Sequence, residues 1–269
     1  MKFLAACVQL TSKADVAENL ATCVRLSAGA RARGAELVVL PENFAFMGAH
    51  EDDKLPFAEG LGDGGPIVSA LREIARTGMW VVAGGMPERS AEAGKVYNTA
   101  VVLAPSGEIV ASYRKIHLFD IAIPGAAEFR ESRTVVPGTD VVTCDLPFGK
   151  LGLSICYDVR FPELYRALSA AGARFVVVPA AFTLHTGKDH WRPLLTARAI
   201  ENQVYVLAAA QYGRANEKRI CWGHSLIADP WGAVIAEAPD QEGICVAEID
   251  TDLQDRVRRE LPCLSHRRL

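Results

Sequence analysis

Short apolar runs alternate along this chain with longer stretches of helical periodicity, and that alternation restricts the folds open to it. Phe3–Val8, Leu37–Leu40, Trp80–Ala83, Thr99–Leu103, Ile109–Tyr113, Leu151–Ile155, Phe175–Val178 and Tyr205–Ala209 read as strands. Apolar residues recur with helical spacing over Val16–Ala32, Ile67–Thr77, Pro162–Ala171 and Trp191–Glu201. Strands and helices in alternation give an α/β fold. The later runs Ser225–Ala228, Ala233–Ala236 and Ile244–Ile249 are shorter and bounded by turns, as in antiparallel pairs. The stretch Gly60-Leu-Gly-Asp-Gly-Gly-Pro66 is a loop that opens a helix, with Pro66 suited to its first turn. No linker or low-complexity tract interrupts the pattern, so one domain is expected over residues 1–269.

Composition narrows the class of function. The chain is 50% hydrophobic and 23% charged, with a net charge of −3, so no basic excess points to nucleic acid or an acidic membrane surface. The opening Met1-Lys2-Phe3-Leu4 enters an apolar run too short to span a bilayer and lacks a signal peptide's polar start and cleavage site. The 7 cysteines are an odd number without a C-x-x-C pair. That argues against a disulfide framework or a zinc knuckle and for a reducing, cytoplasmic compartment.

Three ionisable residues close apolar runs. Glu42 follows Leu37-Val-Val-Leu-Pro41, Lys115 follows Ile109-Val-Ala-Ser-Tyr-Arg114, and Cys156 ends Leu151-Gly-Leu-Ser-Ile155 just before a helical segment. A carboxylate, an ammonium and a thiol at strand ends can meet at one edge of a sheet. Together they suffice to hydrolyse an amide with no metal or cofactor. Cysteine divides the reaction into acylation and deacylation through a thioester, provided that a base or cation helps to ionise a thiol whose ordinary pKa is about 8.5. Glu42 can take the thiol proton, pass it to the departing amine and later activate water. Lys115 can stabilise the thiolate and then the oxyanion, with the backbone N–H of Tyr157 as second donor. Taken singly, each has a blander reading: a buried cysteine is most often a small core residue, and a glutamate or lysine at a strand end is often solvated.

The histidines offer rival chemistry. Cys156 paired with His117, His185, His190 or His224 would also make a thiol hydrolase, and spacing does not decide between the two. His185 and His190 flank Gly187-Lys-Asp189, which reads as a loop, and their i, i+5 spacing is poor for zinc on one helix face.

The strings Leu40-Pro-Glu-Asn43, Tyr113-Arg-Lys-Ile-His-Leu118 and Leu153-Ser-Ile-Cys-Tyr-Asp158 resemble those of the nitrilase superfamily of carbon–nitrogen hydrolases, in order and at comparable separations. The likeness runs from Ala5-Ala-Cys-Val-Gln-Leu10 to Leu261-Pro-Cys-Leu-Ser-His-Arg-Arg268. It implies an α/β fold of four layers, an αββα sandwich, that is normally dimerised, and Glu42, Lys115 and Cys156 as catalytic triad. It also implies a second active-site glutamate at Glu131, within Phe129-Arg-Glu-Ser132 and before Val136-Pro-Gly138, holding Lys115 and orienting the amide; Glu128 is the near alternative. Arg160, Phe182 and Thr186 (ahead of Thr183) resemble substrate-contacting residues, with Arg160 suited to binding a carboxylate bidentately.

Within the superfamily the chain resembles the Nit branch, which includes omega-amidases and deaminated glutathione amidases. Tyr113–Gly125 is common to both; Ala208–Arg214, Asn216–Arg219 and Trp222–Gly232 resemble the latter. The chain stops at Leu269, soon after His266-Arg-Arg268, which puts the dimer-stabilising tail in question. The expected substrate is a small amide bearing a carboxylate. The foremost expectation is release of 2-oxoglutarate and cysteinylglycine from deaminated glutathione. Hydrolysis of 2-oxoglutaramate or 2-oxosuccinamate is the alternative, and a catalytically silent binding scaffold is the alternative from another class. A dipeptide leaving group favours a cation for its carboxylate, for which Glu217-Lys218-Arg219 is a candidate, although such charge runs are usually solvated.

Overall fold

The structure is a computed structural model that describes residues 1–62, 64–122 and 128–268. In chain order the strands of the first sheet begin with β1 (Lys2–Gln9), β2 (Leu37–Leu40), β3 (Trp80–Arg89), β4 (Val96–Leu103) and β5 (Ile109–Arg114). The short hairpin β6 (Asp120–Ala122) and β7 (Glu128–Arg130) follows. The second sheet uses β8 (Thr143–Leu146), β9 (Gly149–Leu153), β10 (Phe175–Val177) and β11 (Tyr205–Ala208). After a second hairpin, β12 (Tyr212–Arg214) and β13 (Ile220–Trp222), come β14 (Leu226–Ala228), β15 (Val234–Glu237) and β16 (Gly243–Asp250). The two sheets run in the orders β16-β1-β2-β3-β4-β5 and β15-β14-β11-β10-β9-β8. The helices are α1 (Val16–Ala32), α2 (Pro66–Arg76), α3 (Pro162–Ala170), α4 (Leu184–Asn202) and α5 (Thr251–Glu260).

The period-2 pattern of β1 shows why the layers stack. Phe3, Ala5 and Cys7 face the second sheet, while Ala6, Val8 and Leu10 face Leu20, Cys23 and Leu26 of α1 and Val68 and Leu71 of α2. Phe3 stacks on Phe148 at 4.0 Å and meets Phe175 edge-on at 5.5 Å, joining the two sheets. Leu164, Leu168, Trp191 and Leu195 of α3 and α4 cover the far side of the second sheet. The expected αββα sandwich is therefore what forms. Among the described residues no helix is long and apolar enough to cross a membrane.

The expected strands and the helices α1, α2 and α3 lie where the periodicity places them, within a few residues at their ends, and Pro66 occupies the first turn of α2. Asp63 of the preceding loop, Ile123-Pro-Gly125 of the branch motif and Leu269 lie outside the described residues. Helix α4 departs from expectation by starting at Leu184, so Gly187-Lys-Asp189 is helical and His185 and His190 are helix residues. Glycine, followed by Pro193, reads locally as a breaker. Within the helix Gly187 makes room for Trp222: a Cβ at that position would lie 2.3 Å from Trp222 Cβ. Helix α5 was not expected, because it is mostly charged and carries few apolar positions; Asp250 caps it by accepting from the N–H groups of Asp252 and Leu253.

The two sheets come close together where β3 meets the chain leaving β10. A Cβ on Gly84 would lie 2.0 Å from Pro179 Cβ, and the Pro179 carbonyl accepts the Cys156 N–H at 2.8 Å. Gly84→Ala should therefore cost about 1–3 kcal/mol by overpacking and also lower kcat, since Pro179 cannot yield without moving Cys156. Urea unfolding and steady-state kinetics of the same preparation check both; an unchanged kcat would separate this contact from the site.

Candidate active site

Glu42, Lys115, Cys156 and Glu131 meet where the sheets' strand ends converge. Glu42 leaves the C-terminal end of β2, Lys115 the end of β5, and Cys156 follows β9 at the start of a 3-10 turn, Cys156–Arg160, that leads into α3. Cys156 has φ 49°, a left-handed conformation that a side chain adopts only under constraint. Its N–H is spent on Pro179, so the next backbone donor in the turn is that of Tyr157.

Lys115 Nζ lies 2.9 Å from Glu42 Oε1 and 2.8 Å from Glu131 Oε2. An ammonium has three donors, which leaves one for a substrate. Both carboxylates are further held. The Asn98 amide donates to Glu42 Oε1 at 3.0 Å and to Glu131 Oε1 at 2.8 Å. The Ala181 N–H donates to Glu42 Oε2 at 3.0 Å, and that of Phe119 to Glu131 Oε2 at 2.7 Å. Glu42, Lys115 and Glu131 are all buried. Burial by itself would strip Lys115 of its proton, but Glu131 and Glu42 overcome it and hold the ammonium pKa well above its ordinary value. Burial likewise opposes ionisation of Glu131, and Lys115 outweighs it, so that carboxyl is held below its usual range.

The Cys156 thiol goes the other way. Burial and the Glu42 charge push its pKa well above the ordinary value, with Lys115 opposing. This setting favours the protonated form of the thiol, and Glu42 beside it is a carboxylate placed to accept a proton.

The four histidines weighed as partners lie elsewhere. His117 Nδ1 is 2.7 Å from Asp158 Oδ1, with its ring stacked on Phe161 at 3.7 Å. His224 Nδ1 is 3.0 Å from Glu237, His190 touches the far side of Arg160 at 3.3 Å, and His185 is exposed on α4. None of the four lines the cavity over Cys156.

That cavity, of about 250 Å³, is lined by the four clustered residues together with Arg160, Phe182, Thr183 and Thr186. Arg160 is half-buried and spreads over Phe182 at 5.2 Å and Tyr157 at 5.8 Å. Thr186 Oγ1 lies 3.1 Å from Thr183 Oγ1. Glu128, the alternative to Glu131, is exposed and paired with Arg130. Its carboxylate is thus committed at the rim, while Glu131 reaches the lysine.

A family comparison extends over almost all of this framework: the carbon–nitrogen hydrolase family matches residues 4–259. The chain belongs to that family. It is 49% identical over 269 residues to the deaminated glutathione amidase of Synechocystis sp., covering 98% of each chain. It is 44% identical over 270 residues to the human deaminated glutathione amidase, covering 98% of this chain and 82% of that one. The crystal structure of the Caenorhabditis elegans NitFhit protein superposes with a TM-score of 0.93 at 41% identity, over 99% of this chain and 65% of that longer one.

Two residues of this carbon–nitrogen hydrolase site escaped the sequence reading. Asn98 sits mid-strand in β4, and only its inward face marks it. Asp158 is fully buried and accepts from Tyr113 Oη at 2.7 Å, Ile155 N at 2.8 Å, His117 N at 3.1 Å and His117 Nδ1 at 2.7 Å. It ties the strand end around Lys115 to the turn that holds Cys156. The clue in the sequence is its place two residues after the thiol, within one turn. Asp158→Asn puts an NH₂ among donors, which should cost about 1–3 kcal/mol and reduce kcat more than it raises KM. Tyr113→Phe removes one of the four contacts and should do less of each; denaturant melts and Michaelis kinetics of the pair measure the gradation.

Proposed function

We propose that the chain is an amide hydrolase of the deaminated glutathione amidase kind. It would use Cys156 as nucleophile and release 2-oxoglutarate and cysteinylglycine. The observation that carries this reading is that Arg160, with no carboxylate partner among the described residues, lines the same cavity as the Glu42–Lys115–Cys156–Glu131 cluster. A planar cation beside the nucleophile suits an acyl group that ends in a carboxylate. The names carried by relatives at 42–49% identity favour the same substrate.

The proposed cycle balances without a cofactor. Glu42 takes the Sγ proton as sulfur bonds to the amide carbon; the oxyanion is held by the third Nζ hydrogen of Lys115 and the Tyr157 N–H. The intermediate collapses, the C–N bond breaks, and the proton on Glu42 goes to the departing amine. Water then attacks the thioester and loses a proton to Glu42. The C–S bond breaks, and that proton returns to sulfur. Glu131 keeps Lys115 charged and placed through both steps, while Phe182 and Thr186 shape the acyl side. We read the whole chain as one such domain acting as a homodimer in the cytoplasm. Exposed Trp231 (64%) and Ile200 (51%) on the β15 side of the second sheet support an interface, and 7 free cysteines support a reducing compartment.

Cys156→Ala should abolish turnover and leave thermal unfolding nearly unchanged. Residual activity above a few per cent would mean another nucleophile. Lys115→Ala should cost at least about 10²-fold in kcat and about 3–5 kcal/mol of stability, because two buried carboxylates lose their cation. A raised KM with unchanged kcat would make it a binding residue.

Arg160 tests the substrate class. Arg160→Ala should lower kcat/KM for the 2-oxo acid amide by roughly 10- to 150-fold, and much less for a neutral amide of similar length. Measuring cysteinylglycine and ammonia separately, from deaminated glutathione and from 2-oxoglutaramate, decides between the two amidase specificities. Equal losses on both the acidic and the neutral amide would show that Arg160 supports the turn and does not read a carboxylate.

A further inference from the structure

The cavity continues past the nucleophile to a mouth built from two loops. One is the segment Gly48–Lys54; the other joins β12 to β13. Asn216 hooks them together. Its Nδ2 donates to the Gly48 carbonyl at 2.8 Å, and its Oδ1 accepts the N–H groups of Lys218 at 3.0 Å and Arg219 at 2.9 Å. The backbone that presents Lys218 is thereby fixed to the opposite wall.

The charges at this mouth do not cancel. Glu51 takes both Lys54 at 2.9 Å and Arg219 at 3.1 Å, two cations on one carboxylate, all three largely shielded from solvent. Burial opposes ionisation of Glu51, yet Lys54 and Arg219 outweigh it and keep it charged, so this trio carries one net positive charge. Arg219 is further seated over Phe129 at 5.0 Å. Arg133 is neutralised by Asp52, and Glu128 by Arg130. Lys218, exposed at the rim, also lines the cavity and has no carboxylate partner among the described residues; Glu217 beside it is exposed as well and does not line the cavity. One cavity thus holds two cations without a carboxylate partner among the described residues, Arg160 on the nucleophile's turn and Lys218 beside the trio at the rim.

We propose that the mouth is a leaving-group subsite, in which Lys218, backed by the Lys54–Glu51–Arg219 trio, receives the terminal carboxylate of a short peptide amine. This rests on the amidase reading above and deepens it, because it selects an amide with a carboxylate at each end. A dipeptide amine extends about 7 Å beyond the scissile nitrogen and so can reach outward from the buried thiol toward the rim. Ammonia has nothing to place there.

The test compares kcat/KM on 2-oxoglutaryl-cysteinylglycine, on the same compound ending in glycinamide, and on 2-oxoglutaramate. Wild type should prefer the free carboxylate over the glycinamide by about 10-fold, the scale of one hydrogen bond to a charged group at a partly solvated site. Lys218→Ala should erase most of that preference through KM, Lys218→Glu should invert it, and Lys218→Arg should keep it. The preference should also shrink as salt is raised. The subsite is overturned if wild type hydrolyses the dipeptide amide but ignores its terminal carboxylate, or if the Lys218 variants lose equally on all three substrates. A wild type that turns over 2-oxoglutaramate and not the dipeptide amide overturns the deaminated glutathione reading, and the subsite with it.

Discussion

The Lys115 ammonium, buried between Glu42 and Glu131, is the interaction on which the rest of the site depends. Two carboxylates at this depth repel one another and would protonate unless a cation and several hydrogen bonds compensated them. Lys115 supplies the charge. Asn98, Ala181 N–H and Phe119 N–H supply the remaining donors, from three separate parts of the chain. The arrangement forms only if β2, β4, β5 and the loop after β10 are all in register. The chemistry is thus secured by the same contacts that fix the two sheets against each other.

The thiol shows the other side of that construction. Burial and the Glu42 charge favour its protonated form, and its backbone sits in the left-handed region. In the proposed cycle, reactivity depends on a base positioned to take the proton at the moment of attack. A buried, protonated thiol is a poor target for adventitious electrophiles. In that proposed cycle the substrate supplies the carbonyl, and the spare Lys115 hydrogen meets charge only as it develops. Asp158 extends this control by holding the residues on either side of the lysine and the thiol in one hydrogen-bonded unit.

Specificity sits in less rigid places. Arg160 and Phe182 lie at either end of short segments that follow strands β9 and β10, so the acyl side is built on the sheet. The mouth is built on loops joined by Asn216 and by the ion trio around Glu51. Loops of this kind change with little cost to the core. Such a division allows one acylation chemistry to serve different amines.

The sequence by itself determined the alternation of strands and helices, and with it the ends of β2, β5 and β9 where Glu42, Lys115 and Cys156 stand. Those features are local: a period of 2 or 3.6, and a chemically distinctive residue at the close of an apolar run. Tertiary structure decided the rest. Glu42, and none of the four histidines, lines the cavity with Cys156, and Glu131 in place of Glu128 bonds Lys115, because of which side chains the folded chain turns inward. Asn98 acquires its role from Glu42 and Glu131, 56 and 33 residues away. Gly187 leaves room for Trp222 against its helix, and the backbone that carries Lys218 is tied through Asn216 to Gly48 across 168 residues of chain. Local pattern cannot encode such facts, since the energy that fixes them comes from contacts existing only after the sheets have packed.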